Sequence, residues 1–181
     1  ETGDWLRPVY LGEPRFRKPP LMYWLVGAAY RVAGTTTSAA TARWPSALAG
    51  LLMAGLFYVS VRADMGRRRA ALAALVCTTS FIFLKQARSA ETDVVFTLGT
   101  AAAAWATYRA VREPSDWRWW LWAGLASGLG FMTKGPAAIL LPALAGLAFW
   151  FTQPSVGRAA WRWRGLWSAL AVCAVLVLPW Y

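Results

Sequence analysis

Six apolar runs, at 45–61, 70–84, 94–111, 119–132, 136–151 and 166–181, fill most of this 181-residue chain, and short polar segments part them. A helix rises about 1.5 Å per residue, so runs of this length reach or approach the ~30 Å hydrocarbon thickness of a bilayer. The chain is 58% hydrophobic, above the roughly 45–50% usual in soluble domains. The predicted class is therefore all-α, a polytopic membrane helix bundle with about six transmembrane helices. Stretches such as "ALAGLLMAG" and "GLASGLG" supply the small residues that let helices approach closely in lipid. Trp and Tyr gather at run ends, as in "DWRWWLW" and "WRWRGLW", where amphipathic rings favour the interface.

The net charge of +11 would suggest nucleic acid in a soluble protein. Here the basic residues stand between apolar runs, which points to membrane lipids as partners and to no nucleic acid. Arg62, Arg67, Arg68 and Arg69 share one loop, Arg109, Arg112 and Arg118 the next but one, and Arg158, Arg162 and Arg164 the next but one again. If all six runs span, these loops lie on one side, which the positive-inside rule makes cytoplasmic. The segments "KQARSAETD" (85–93) and "TKGP" (133–136) then face outward.

The chain has no His and two cysteines, Cys77 and Cys173, each inside an apolar run. That excludes an ordinary zinc site and a CxxC redox pair, and the thiols read as packing residues. No cofactor is implied with certainty; a divalent cation on carboxylates stays compatible with the composition. The chain starts at Glu1 without initiator Met or signal peptide and ends inside the run "VLVLPWY", so it reads as a fragment of a larger membrane protein. The expected division is 1–44 as an outer-face loop and juxtamembrane helix, and 45–181 as transmembrane helices of the same domain.

The stretch "EPRFRKPPLMYW" places positive charge against an apolar run at 19–34. That run has sixteen residues, carries Arg31 and is aromatic, the pattern of a helix lying in the interface. If it lies along the surface, Lys18 and Asp93 face the same side; if it crosses, the bilayer separates them.

Three ionisable positions at run boundaries are candidates for chemistry. Lys18 precedes Pro19 and Pro20, which suit a first helical turn. A lysine there opposes the helix dipole unless it meets an anion drawn to the same N-terminus, with Arg17 assisting; the alternative is snorkelling to headgroups. Asp93 opens a run, either as a favourable first-turn acid or as a base, metal ligand or acceptor for a sugar hydroxyl. Glu91 and the anion-binding candidate Arg88 stand beside it. Lys134 sits in a turn set by Gly135 and Pro136, facing an anion or snorkelling. A transporter or channel fragment is the competing class, with these residues along a pathway, but the six runs are nearly free of charge.

Taken in order, "GDWLRPVYLGEPRFRKPPLMYWL", "RWPSALAG", "ARSAETD" and "GLGFMTKGPAAILLPAL" resemble the bacterial lipid-linked glycosyltransferases, the family of the 4-amino-4-deoxy-L-arabinose lipid A transferases and the related dolichyl-phosphate-mannose protein mannosyltransferases. The resemblance implies a GT-C fold in the bacterial inner membrane, multi-pass, with its active site on the periplasmic or outer face. It implies a polyprenyl-phosphate sugar donor and a lipid or protein acceptor, with the "KPP" helix as a juxtamembrane element. Asp93 would be the second acidic residue of the catalytic site and Lys18 would sit near the carrier phosphate, with Arg17, Arg88 and Lys134 as further substrate-binding candidates. The first catalytic Asp of the family would lie upstream of Glu1. Arg17 stands where some relatives carry an acid, which argues against a metal at that point.

Overall fold

In the computed structural model, which describes residues 9–10, 13–14, 18–152 and 163–180, the two prolines after Lys18 lead into the first helix. Pro20 is buried and its carbonyl accepts from the amide of Trp24. Helix α1, Leu21–Ala33, has 13 residues, about 20 Å, a third short of the hydrocarbon thickness. That length suits the juxtamembrane placement expected of it. Ahead of it, β1 (Val9–Tyr10) and β2 (Glu13–Pro14) form a minimal antiparallel pair. The chain divides into two compact units, one ending at Leu98 and the other beginning at Gly99.

In the first unit α1 packs on α2 (Ala39–Ala42) and α3 (Trp44–Thr79), and α3 packs on α4 (Phe81–Ala87). Gly66 interrupts α3 with φ 80° and ψ 171°, a conformation that residues with a Cβ avoid. A straight helix would hold Met53 and Cys77 about 36 Å apart. They line one cavity, so α3 is two antiparallel arms reversed at a single residue. The sequence suggested a loop around Arg62 and Arg67 to Arg69; all four are instead helical and exposed, because one glycine suffices for the turn. The second run also differs from expectation. Ser80, extended at ψ 140°, breaks it, and α4 continues to Ala87.

Helix α5, Asp93–Arg112, has 20 residues, about the 30 Å needed to span, and leads into the second unit. There α6 (Arg118–Lys134) packs on α7 (Ala137–Thr152) and on α8 (Trp163–Val177), after which a 3-10 turn, Leu178–Trp180, follows.

Many of the helix contacts are made by small residues. A Cβ on Gly99 would lie 2.9 Å from the Gly130 Cα, and one on Gly146 would lie 2.8 Å from a Thr107 methyl. Among the described residues, Ala70, Ala103, Ala110 and Ala138 are fully buried, whereas Leu72, Val76, Phe81 and Leu144 are exposed by 58% or more. A soluble core has the reverse arrangement. Large apolar side chains pointing outward around a small-residue interior are what lipid solvation permits and close helix contact requires.

Candidate active site

The first unit holds an open cavity of about 340 Å³. Met53, Phe57 and Cys77 come from the two arms of α3, Phe83 and Gln86 from α4, and Asp93, Val94 and Thr97 from the first turns of α5. The walls are chiefly apolar. Asp93 is the acidic residue among them, half-buried at the first position of α5.

Local sequence explains its placement. The Thr92 carbonyl accepts from the Phe96 amide and opens the helical ladder, and the Thr97 hydroxyl donates back to the Asp93 carbonyl at 2.7 Å. The segment ahead of the helix is tied down from α3, where the buried Ser46 hydroxyl donates to the Glu91 carbonyl at 3.2 Å. The carboxylate thus stands where the helix dipole favours negative charge. Gln86 Nε2 lies 3.5 Å from Asp93 Oδ2, and the Thr92 hydroxyl lies 3.5 Å from Oδ1. Hydrogen bonds at this outer limit often tighten only in a catalytic site that holds its ligand. Chemically, a half-buried carboxylate over an apolar cavity can accept a proton or a sugar hydroxyl while an apolar chain fills the space below.

The other candidates are placed as follows. Lys18 is exposed, three residues before α1, and Arg88 is exposed as the residue capping α4. Both belong to the unit that holds the cavity, and neither lines it. Lys134 belongs to the second unit, where it is the exposed last residue of α6 and its charge suits the helix C-terminus. Only Gly135, with φ 91°, and Pro136 form the turn, so the turn is shorter than the "TKGP" segment suggested. Thr133 is helical and buried, donating to the Gly130 carbonyl at 2.5 Å. Arg17 lies outside the described residues, as do Arg7, Arg15, Arg158 and Arg162. No group of three or more His, Cys, Asp or Glu side chains converges among the described residues.

Sequence reasoning missed Ser46 and Gln86. Gln86 carried a signal, being one of only two side-chain amides in the chain, the other being Gln153.

Residues 17–181 match the family described as dolichyl-phosphate-mannose-protein mannosyltransferase. The chain belongs to this family. Among curated proteins it is 33% identical, over 99% of its own length, to undecaprenyl phosphate-alpha-4-amino-4-deoxy-L-arabinose arabinosyl transferase of Edwardsiella ictaluri. It is 34% identical over 98% of its length to the enzyme of the same name from Pseudomonas aeruginosa, and 36% identical over 83% to an uncharacterized protein of Aquifex aeolicus. The chain spans about a third of the length of these relatives, 30–32%. Its fold is that of ArnT from Cupriavidus metallidurans. The apo crystal structure superposes with a TM-score of 0.84, and the form bound to undecaprenyl phosphate with 0.85, each at 24% identity over 99% of this chain and 33% of the other. The resemblance carried by the four ordered motifs is thereby borne out, and the chain is part of a GT-C membrane helix bundle.

Proposed function

We propose that this chain belongs to a membrane glycosyltransferase that moves a sugar from a polyprenyl-phosphate carrier to a lipid or protein acceptor at the outer face of the bacterial inner membrane. The observation that carries the reading is Asp93, a carboxylate at a helix N-terminus over an apolar cavity, in a chain of this family. The relatives are named for an undecaprenyl-phosphate sugar donor, and an anion of that kind sits at headgroup level, within reach of cations at helix ends.

The reaction is a displacement at the anomeric carbon. The acceptor oxygen forms a bond to that carbon, its proton passes to a carboxylate, and the carbon–oxygen bond to the carrier breaks with its electron pair leaving on the phosphate. In this scheme Asp93 acts on the sugar or the acceptor as a catalytic residue. Lys18 and Arg17, with Arg88, offset the charge that develops on the departing phosphate.

The direct test compares glycolipids and glycoproteins by mass spectrometry in host cells with and without the full-length gene. A saccharide present only with the gene, and absent when the gene carries Asp93→Asn, supports the reading. The carboxamide should lower transfer by about 10²–10⁴-fold. Identical saccharide profiles in all three strains would overturn it.

A further inference from the structure

We propose that Gln86 is the positioning residue for the Asp93 carboxylate and that its free carbonyl receives a hydroxyl or amino group of the bound substrate. This rests on the reading of Asp93 given above. Side-chain amides are nearly absent from the chain, and one of the two stands in the cavity wall, in the last turn of α4. Its Nε2 donates to Asp93 Oδ2. The opposite orientation of the amide would set Oε1 against a carboxylate, so the acid fixes which end faces it. The remaining atom, Oε1, is buried and has no hydrogen-bond partner.

Such an acceptor is costly unless something donates to it. The lining side chains near it are mostly apolar, so the missing donor is supplied by what enters the cavity. A group donating to Gln86 Oε1 would lie beside the Asp93 carboxylate, which is where a hydroxyl or amine to be oriented or deprotonated must be. The ionisable residues lining the cavity are Asp93 from α5 and Cys77 from α3. Lys85, Arg88 and Glu91, on α4 and the segment after it, are exposed.

The test uses the full-length protein in vesicles of its host's membrane, with the transferred saccharide as product. Gln86→Met keeps the length of the side chain and removes both hydrogen bonds; it should lower kcat/KM about 10–100-fold with the unfolding temperature unchanged. The apparent KM should rise for whichever substrate, donor or acceptor, carries the group that Oε1 receives. Gln86→Glu sets a second carboxyl beside Asp93, and since two such groups share a proton, the acid limb of the pH–rate profile should move to higher pH. A residue that merely packs would not move that limb. Full kcat/KM in Gln86→Met, or an unmoved acid limb in Gln86→Glu, overturns the inference, and the Glu variant decides if the Met variant fails to fold. Asp93→Asn run in parallel separates the two claims. Full activity in it overturns the reading of Asp93 and this inference with it, whereas loss there with a normal Gln86→Met overturns the role of Gln86 alone.

Discussion

At Gly124 an added methyl group would strike the Ala169 backbone, whereas around Met53 and Cys77 the helices of the first unit stand far enough apart to leave a cavity. Both units are built from Ala-rich and Gly-rich helices, yet they use them differently. In the second unit, glycines bring α6 onto α8 and α7 without a gap: a Cβ on Gly128 would lie 2.8 Å from Leu176, and one on Gly130 would lie 2.8 Å from Ala138. In the first unit Phe57 of α3 and Phe83 of α4 line the space left between the helices, and Asp93 stands in its wall. Close packing makes a scaffold, and incomplete packing makes room for a ligand.

If that contrast holds, variants of the two units should separate chemistry from stability. The largest effect expected here is on turnover. Lys18→Ala in the full-length protein should lower transfer about 100-fold, the scale of losing one preorganised donor to a developing oxyanion, with membrane insertion and unfolding temperature unchanged. Transfer at the original rate would remove Lys18 from the site. In the second unit, Gly124→Ala should destabilise by about 1–3 kcal/mol, since backbone atoms cannot rotate away as a side chain can. Thermal unfolding in detergent reads this, and the molecules that stay folded should keep their specific activity.

A smaller effect is expected where α5 meets α6. Arg109 Nη2 lies 2.8 Å from Glu113 Oε1, and Trp119 Nε1 donates to Oε2 at 3.1 Å. The Arg109 guanidinium also stands 4.6 Å over the Trp119 ring. The hydrogen bond from Arg109, with the nearby positive charge, holds the Glu113 carboxyl below its ordinary range. A carboxyl lowered in the folded state stabilises above its unfolded value, near 4.3, and that stabilisation is lost as the pH falls through the lowered one. Glu113→Gln should therefore cost under ~1 kcal/mol at pH 7, and the difference in unfolding temperature from the parent should vanish on strong acidification. Gly55 supplies the control. Nothing lies within 4 Å of a Cβ built on it, so Gly55→Ala should leave transfer unchanged and stability equal or higher by up to ~1 kcal/mol, the helix preference of Ala over Gly.

Much of this plan was legible in the residues. Apolar runs of near-spanning length, small residues within them and aromatic ends led to a membrane bundle, and four ordered motifs led to the family. Boundaries were less legible where one residue decides them. Gly66 reverses the chain, but a lone glycine among arginines looks like any loop residue until both arms are seen to meet. Ser80 breaks a run that hydropathy reads as continuous, because an extended serine leaves no mark on an apolar average. Asp93 could be read because it is charged at the edge of a run. Gln86 was legible only as a rare amide, since its meaning depends on a carboxylate seven residues on and on the cavity they share.

The one-residue reversal at Gly66 also bears on how the protein enters the membrane. Arg62, Arg67, Arg68 and Arg69 crowd its tip, and carrying four arginines through the bilayer centre would cost on the order of 10 kcal/mol on insertion scales. Were both arms to cross the bilayer, that cost would hold the arginine tip on the side of synthesis, with the glycine keeping all four charges together at one turn.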